Sequence, residues 1–343
     1  MGESIQGTPR TSRIEYIDIA RGLAILLVVI GHNLENSMLG FKVIYSFHVP
    51  AFFFLSGIVF RPEKYKSGIE IIKDKAKRLL HPYFLFGFIT MMVYCTFRES
   101  SINALKCLLF ANRYQMMEVP FNVPMWFIPC LFLVLIEFYW IQKYIPQKLS
   151  FVIFLGCSLL GYRTITQPIL PWTLDSSLYY LLFFSLGHFS KKYIDLCKHK
   201  YCILLSFIVF LSQFILYTNV QIPYLLKYLI ETVCAMSGTV LLVAFSQYIL
   251  FSKIFAAILK RPLEYLGNNS LLILILHTPI RDWIVGILIW GISGQFYCGY
   301  GIRSINVILS LLICIPFIEA INKFFPSMLG KQQVEQRMDK EIK

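Results

Sequence analysis

An arginine and a histidine close the two ends of RGLAILLVVIGH, Arg21 to His32, whose interior is almost wholly apolar. At about 100° per residue the two lie on one helix face, roughly 16 Å apart along the axis. Ionisable groups are costly at membrane depth, so each one inside an apolar run is a candidate for chemistry. Histidine is the side chain suited to taking and returning a proton near neutral pH. Arginine suits an anionic donor. Asp18 precedes Arg21 by three positions and can share its face and pair with it. The residues around the imidazole, Ile30, Gly31 and Leu34, offer it no local partner, and Gly31 leaves room for another group to approach.

Other polar groups fall into the same pattern. IYSFHVPAFFFLSGIVF carries His48, which a short connection brings near the end of the helix that holds His32. Ser56-Gly57 in that run reads as a close-packing spot between helices. The segment from Arg61 to Arg78 is the most basic in the chain and leads through Lys77, Arg78, His81 and Pro82 into the next apolar run. Such a cluster orients a membrane protein, and it also suits a phosphate-rich ligand. Further along stand Glu137, Glu231, His277, Arg281, Asp282 and Glu319.

These groups need apolar elements to position them, and the chain supplies those. Of its 343 residues 57% are hydrophobic and only 15% charged, with a mean hydropathy of +0.63. Soluble domains are roughly 45–50% apolar and about 25% charged. The excess comes in blocks of bilayer-spanning length, which predicts an all-α, polytopic helical bundle. Ten spans are expected, at 14–33, 41–60, 79–97, 121–142, 149–162, 174–190, 201–219, 223–250, 266–290 and 304–325. The fifth looks short, and the eighth and ninth look interrupted. The expected divisions are a cytoplasmic N-terminal tail (1–13), a membrane domain (14–325) and a cytoplasmic C-terminal tail (326–343), the last a frayed helix.

The net charge of +13 raises the question of nucleic acid. With both termini cytoplasmic, 23 of the 32 lysines and arginines fall on the cytoplasmic side and 7 on the other. That asymmetry is the positive-inside pattern. The basicity therefore encodes topology, with the lipid bilayer as partner and no nucleic acid. The polar first sixteen residues predict no removable signal peptide. The nine cysteines are scattered, with neither C-x-x-C nor zinc spacing, and are read as small apolar residues with no disulfide framework and no metal.

Taken in order, RIEYIDIARGLAILLVVIGH, SFHVPAFFFLSGIVF, KRLLHPYF, VPMWFIPCLF, YLLFFSLGHFSKKY and LGNNSLLILILH resemble the blocks of the acyltransferase-3 family, from about residue 13 to 325. These are bacterial inner-membrane O-acyltransferases that modify surface polysaccharides, and the sequence is most similar to the fucose 4-O-acetylase-like branch. The resemblance implies that His32 is catalytic and Arg21 is the motif arginine. Lys77 and Arg78 match the basic block, and Trp126 matches the Trp-Phe of the fourth span. It also implies acetyl-CoA as co-substrate and a sugar or glycan hydroxyl as acceptor.

Acyl transfer from a thioester to an alcohol needs a base, stabilisation of an oxyanion, and positioning. The expected roles follow. His32 and His48 are catalytic; Arg21, Lys77, Arg78 and Trp126 bind the acyl donor; Asp18, Ser56 and His277 support them. The residues themselves leave open succinyl or another acyl group, a lipid or protein acceptor, and direct transfer against a covalent acyl-histidine. A proton-coupled transporter would use similar groups, but two halves with matching interruptions are not visible.

Overall fold

The computed structural model describes residues 15–97, 101–112, 116, 122–164, 170–216, 222–288 and 299–330. Among the described residues every regular element is helical. The tail expected at 1–13 and residues 331–343 of the one expected at 326–343 lie outside them; Pro326–Leu329 form a single 3-10 turn. Five stretches are long and apolar enough to cross a membrane: Leu39–Val59, Val123–Tyr144, Tyr224–Phe251, Ser270–Leu288 and Gly301–Phe324. The protein is a multi-pass, all-helical membrane protein.

Helix α1 (Glu15–Gly31) is followed by α2 (Leu39–Tyr45) and α3 (His48–Val59). The 41–60 block is therefore two helices. Pro50 cannot donate a fourth-neighbour hydrogen bond to Ser46, and a proline is tolerated only in a first turn. The helix accordingly restarts at Phe47, which puts His48 at its first residue. Helix α4 (Gly68–Lys75) starts at Ser67, whose hydroxyl accepts the Glu70 N–H at 3.2 Å. Glu70 reaches back to the Lys66 N–H at 2.7 Å, close to a capping box. A π-helical turn, Ala76–Leu80, leads into α5 (His81–Phe97), and α6 spans Ser101–Phe110.

Helices α7 (Phe127–Tyr144), α8 (Gln147–Thr164), α9 (Leu174–Ser190) and α10 (Lys200–Leu216) follow. At 18 residues α8 is not short. Helix α11 (Tyr224–Phe251) runs unbroken for 28 residues, so the expected interruption of the eighth span is absent. The ninth is broken at Asn269, between α12 (Arg261–Asn268) and α13 (Ser270–Pro279). Pro279 then opens another π-helical turn, Ile280–Val285, and α14 spans Gly299–Phe324.

The core is aromatic. Phe53 stacks on Tyr180 at 4.5 Å between centroids, and Phe138 on Phe154 at 5.5 Å. Two pairs of glycines let helices touch backbone to backbone. A Cβ on Gly57 of α3 would strike the Phe184 carbonyl of α9, and one on Gly187 of α9 would strike the Phe54 carbonyl of α3. Gly22 of α1 and Gly267 of α12 repeat the arrangement, against Leu263 and Asp18. Close backbone approach of this kind is how helices pack where lipid competes for apolar contact. It fixes α1, the helix that carries Arg21 and leads directly into His32, against the bundle.

Candidate active site

Two adjoining cavities open along α1. The larger, about 790 Å³, is lined by Arg21, Arg61, Lys64, Lys75, Arg78 and Lys191, with Asp18 and Asp74 as its carboxylates. The smaller, about 170 Å³, holds His32 and His48 among Ile25, Val28, Phe52 and Trp126. Arg21, Ser56, Leu79 and Leu131 line both. A basic chamber thus narrows at Arg21 and Ser56 into an apolar neck that ends at two imidazoles.

Local structure aims each of these groups. Arg78 sits on the π-helical turn, where its Nε donates to Asp74 at 2.8 Å. Asp74 also accepts from the Tyr65 hydroxyl at 2.7 Å and lies 3.4 Å from the Lys75 ammonium. Burial by itself would raise the Asp74 carboxyl, but the Tyr65 hydrogen bond with Lys75 and Arg78 outweighs it and holds the group below the usual carboxylate range. Burial lowers Lys75, with Asp74 working partly against it. Lys75 also lies over the Tyr65 ring at 5.5 Å. Lys77 is exposed and outside the chamber wall, whereas Lys75, two residues before it, is in it.

At the far end of the neck three histidines and a tyrosine converge. The His48 Nδ1 donates to the Ile44 carbonyl at 2.8 Å, which makes Nε2 the acceptor nitrogen of the neutral ring. His277, fully buried on α13, likewise donates from Nδ1 to the Ile273 carbonyl at 2.8 Å. Its Nε2 is 3.2 Å from the Thr278 hydroxyl. The His277 ring centroid is 5.3 Å from that of His32. Among the described residues, the hydrogen bonds of His32 are made by its backbone: its N–H donates to Val28 at 3.0 Å, and its carbonyl accepts from Arg281 at 2.5 Å. Tyr45 stands edge-on to both His48, at 4.8 Å, and His32, at 6.2 Å, and stacks on Phe41 at 3.9 Å. Tyr45 was not apparent from sequence, since nothing marks one tyrosine among 20.

The candidate residues Arg21, His32, His48, Ser56 and Trp126 therefore meet along one neck, with Asp18 and Arg78 in the chamber below and His277 behind His32. The glutamates at membrane depth lie elsewhere. Glu137 accepts from the Ser177 hydroxyl at 2.7 Å, and Glu231 from the Tyr162 hydroxyl at 2.8 Å with Lys227 at 3.9 Å.

A family model described as an acyltransferase domain, that of the acyltransferase-3 family, matches residues 14–319. The chain belongs to the acyltransferase-3 family. No curated protein and no solved structure matches it. The match begins just ahead of α1 and ends within α14, so the acyltransferase-3 domain contains both cavities and every residue of the neck. A membrane acyltransferase needs a donor pocket, a reaction centre and a route between them.

Proposed function

We propose that this acyltransferase moves an acetyl group from cytoplasmic acetyl-CoA to a hydroxyl of a cell-surface or lipid-linked sugar, with His32 as general base. The observation that carries the reading is the continuity of the basic chamber with the histidine neck through Arg21 and Ser56. The chamber wall has four more cationic than anionic side chains. CoA's pyrophosphate and 3′-phosphate bring about four negative charges, each phosphate taking forked or point-charge donors. Its phosphates stop at the chamber, while its thin, uncharged arm enters the neck past Arg21 and Trp126. The largely apolar lining suits a small uncharged acetyl group.

The chemistry follows from the placement. His32 takes the proton of the acceptor hydroxyl as its oxygen attacks the thioester carbonyl. The new carbon–oxygen bond forms, the carbon–sulfur bond breaks, and the imidazolium returns the proton to the leaving sulfur. His48, its tautomer fixed by Ile44, orients the acceptor or His32. His277 packs behind. The positive-inside count supports ten spans with both termini cytoplasmic, in a bacterial inner membrane, and the membrane domain at 14–325 between short tails. Each of the ten blocks is largely helical where it is described, and five of the described stretches are long and apolar enough to cross a membrane. Apart from Arg21, the chamber's cations come from 61–78 and from Lys191, both on the side that count makes cytoplasmic.

The test is transfer of labelled acetyl from acetyl-CoA, in membranes containing the protein, to lipid-linked or surface glycan. Label in the glycan upholds the reading. Label absent from glycan but carried by succinyl-CoA overturns the acyl group, and label in lipid or protein overturns the acceptor.

The chamber also predicts a pH dependence. Lys75, lowered mainly by burial, loses its charge at a lower pH than an exposed lysine. Phosphate binding that uses it should therefore weaken as pH rises, before ordinary lysines titrate. CoA affinity measured by calorimetry between pH 7 and 10 is expected to fall, and Lys75→Arg is expected to flatten that fall, because arginine stays charged throughout. An equal slope in both proteins would remove Lys75 from the donor site.

A further inference from the structure

The C-terminal end of α1 is held in an unusual way. The last carbonyls of a helix have no following turn to bond, and inside a bilayer they cannot leave that need to water. Here the next two carbonyls are taken by arginines from two distant elements. Arg281 Nη1 donates to the His32 carbonyl at 2.5 Å, and Arg303 Nη1 to the Asn33 carbonyl at 2.9 Å. Arg281 stands on the π-helical turn that follows Pro279, and Arg303 in the second turn of α14.

Each guanidinium is itself oriented by a carboxylate. Asp282 takes Arg281 through two bonds, Nε at 2.6 Å and Nη2 at 3.1 Å, and Glu35 takes Arg303 Nη2. The Asn33 side chain closes the same turn by donating to the Val29 carbonyl at 2.8 Å. Cations at a helix C-terminus are favoured by its dipole, so the arrangement reinforces itself.

We propose that Arg281 and Arg303 form a clamp whose task is to position His32. They are positioning residues for the transfer step, acting through the backbone of the base. The inference rests on the reading of His32 as that base. Because the described hydrogen bonds of His32 are all made by its backbone, the orientation of its imidazole depends on where its main chain is fixed. A displacement of about 1 Å at a reacting group can cost on the order of a hundredfold in rate. The clamp acts on that end of α1 only; the donor chamber is at the other end. Its loss should therefore appear in turnover and not in donor binding.

The experiment compares wild type with Arg281→Ala, Arg281→Lys, Arg303→Ala, and the paired Arg281→Ala/Asp282→Ala variant, which leaves no orphan carboxylate. Two quantities are measured in nanodiscs: kcat and KM for acetyl-CoA, and amide hydrogen exchange of the peptide covering residues 28–36. Arg281→Ala and the paired variant are expected to lower kcat about a hundredfold with KM for acetyl-CoA within about twofold of wild type. They should also speed exchange in that peptide and nowhere near Arg78. Lysine keeps one donor and should recover about tenfold of the loss, with exchange close to wild type. Arg303→Ala should show the same pattern, weaker.

Unchanged kcat, a raised donor KM with kcat retained, or unaltered exchange would overturn the clamp. If wild type transfers no acetyl from acetyl-CoA, the functional reading fails. The exchange arm then still decides whether the arginines fix the end of α1.

Discussion

His32→Ala is expected to reduce acetyl transfer by about a hundred- to ten-thousand-fold, the usual contribution of a positioned acid–base group. The fold should survive. The described hydrogen bonds of His32 come from its backbone, so truncating the ring leaves no known buried partner unsatisfied. Val28 and Arg281 hydrogen-bond its backbone rather than its ring. The thermal midpoint should hence stay close to wild type, and CoA affinity should be unchanged because the chamber cations are untouched. His48→Ala is expected to cost less, about tenfold, since its ring would assist rather than receive the proton. The check is labelled transfer at matched expression, with midpoints followed by a thiol-reactive dye. The protein suits that dye, because Cys107, Cys130 and Cys314 are buried and become reactive only on unfolding. Full transfer by His32→Ala would move the reaction centre elsewhere, with His48 and His277 the next candidates.

The largest effect on stability should come from Gly57. Leucine there would drive its Cβ into the Phe184 carbonyl and the His188 N–H of α9, and backbone cannot yield as a side chain can. Overpacking typically costs about 1–3 kcal/mol, and a backbone collision belongs at or above that range. The reciprocal contact of Gly187 with Phe54 would open at the same time, and α3 carries His48 and Ser56. Gly57→Leu should therefore lower the midpoint by at least ~5 °C and abolish transfer together. Gly156 supplies the control: a Cβ there meets nothing within 4 Å, so Gly156→Ala should be neutral or slightly stabilising, by up to about 1 kcal/mol. Equal midpoints for the two variants would show that the α3–α9 contact is looser than the backbone distances imply.

What the sequence showed and what it hid divide along a physical line. Periodicity and apolar run length are local, so the helices were legible, as were Arg21 and His32 on one face. The break before His48 could have been read from Pro50, whose missing N–H removes the hydrogen bond that a continuous helix would make to Ser46. Partners distant along the chain were not legible. Glu137 finds Ser177 40 positions on, and Glu231 finds Tyr162 69 positions back. The arginines on the His32 and Asn33 carbonyls come from 249 and 270 residues away. The basic loop was visible as a cluster, but not which of its cations face the chamber. Lys75 and Arg78, three apart and so on one helix face, line it, and Lys77 does not.

The chamber has an electrical consequence. A volume of about 790 Å³ reaching Arg21 and Ser56, when filled with water, would carry the potential of the solution it opens to inward along α1. The voltage across the membrane would then drop not over the roughly 30 Å of hydrocarbon but mostly over the stretch from Arg21 to His32, roughly 16 Å. The local field would be about doubled. A full unit charge carried across 100 mV involves about 2.3 kcal/mol, so a charge displaced along this stretch in the proposed reaction would feel the membrane voltage in proportion to the part of it crossed.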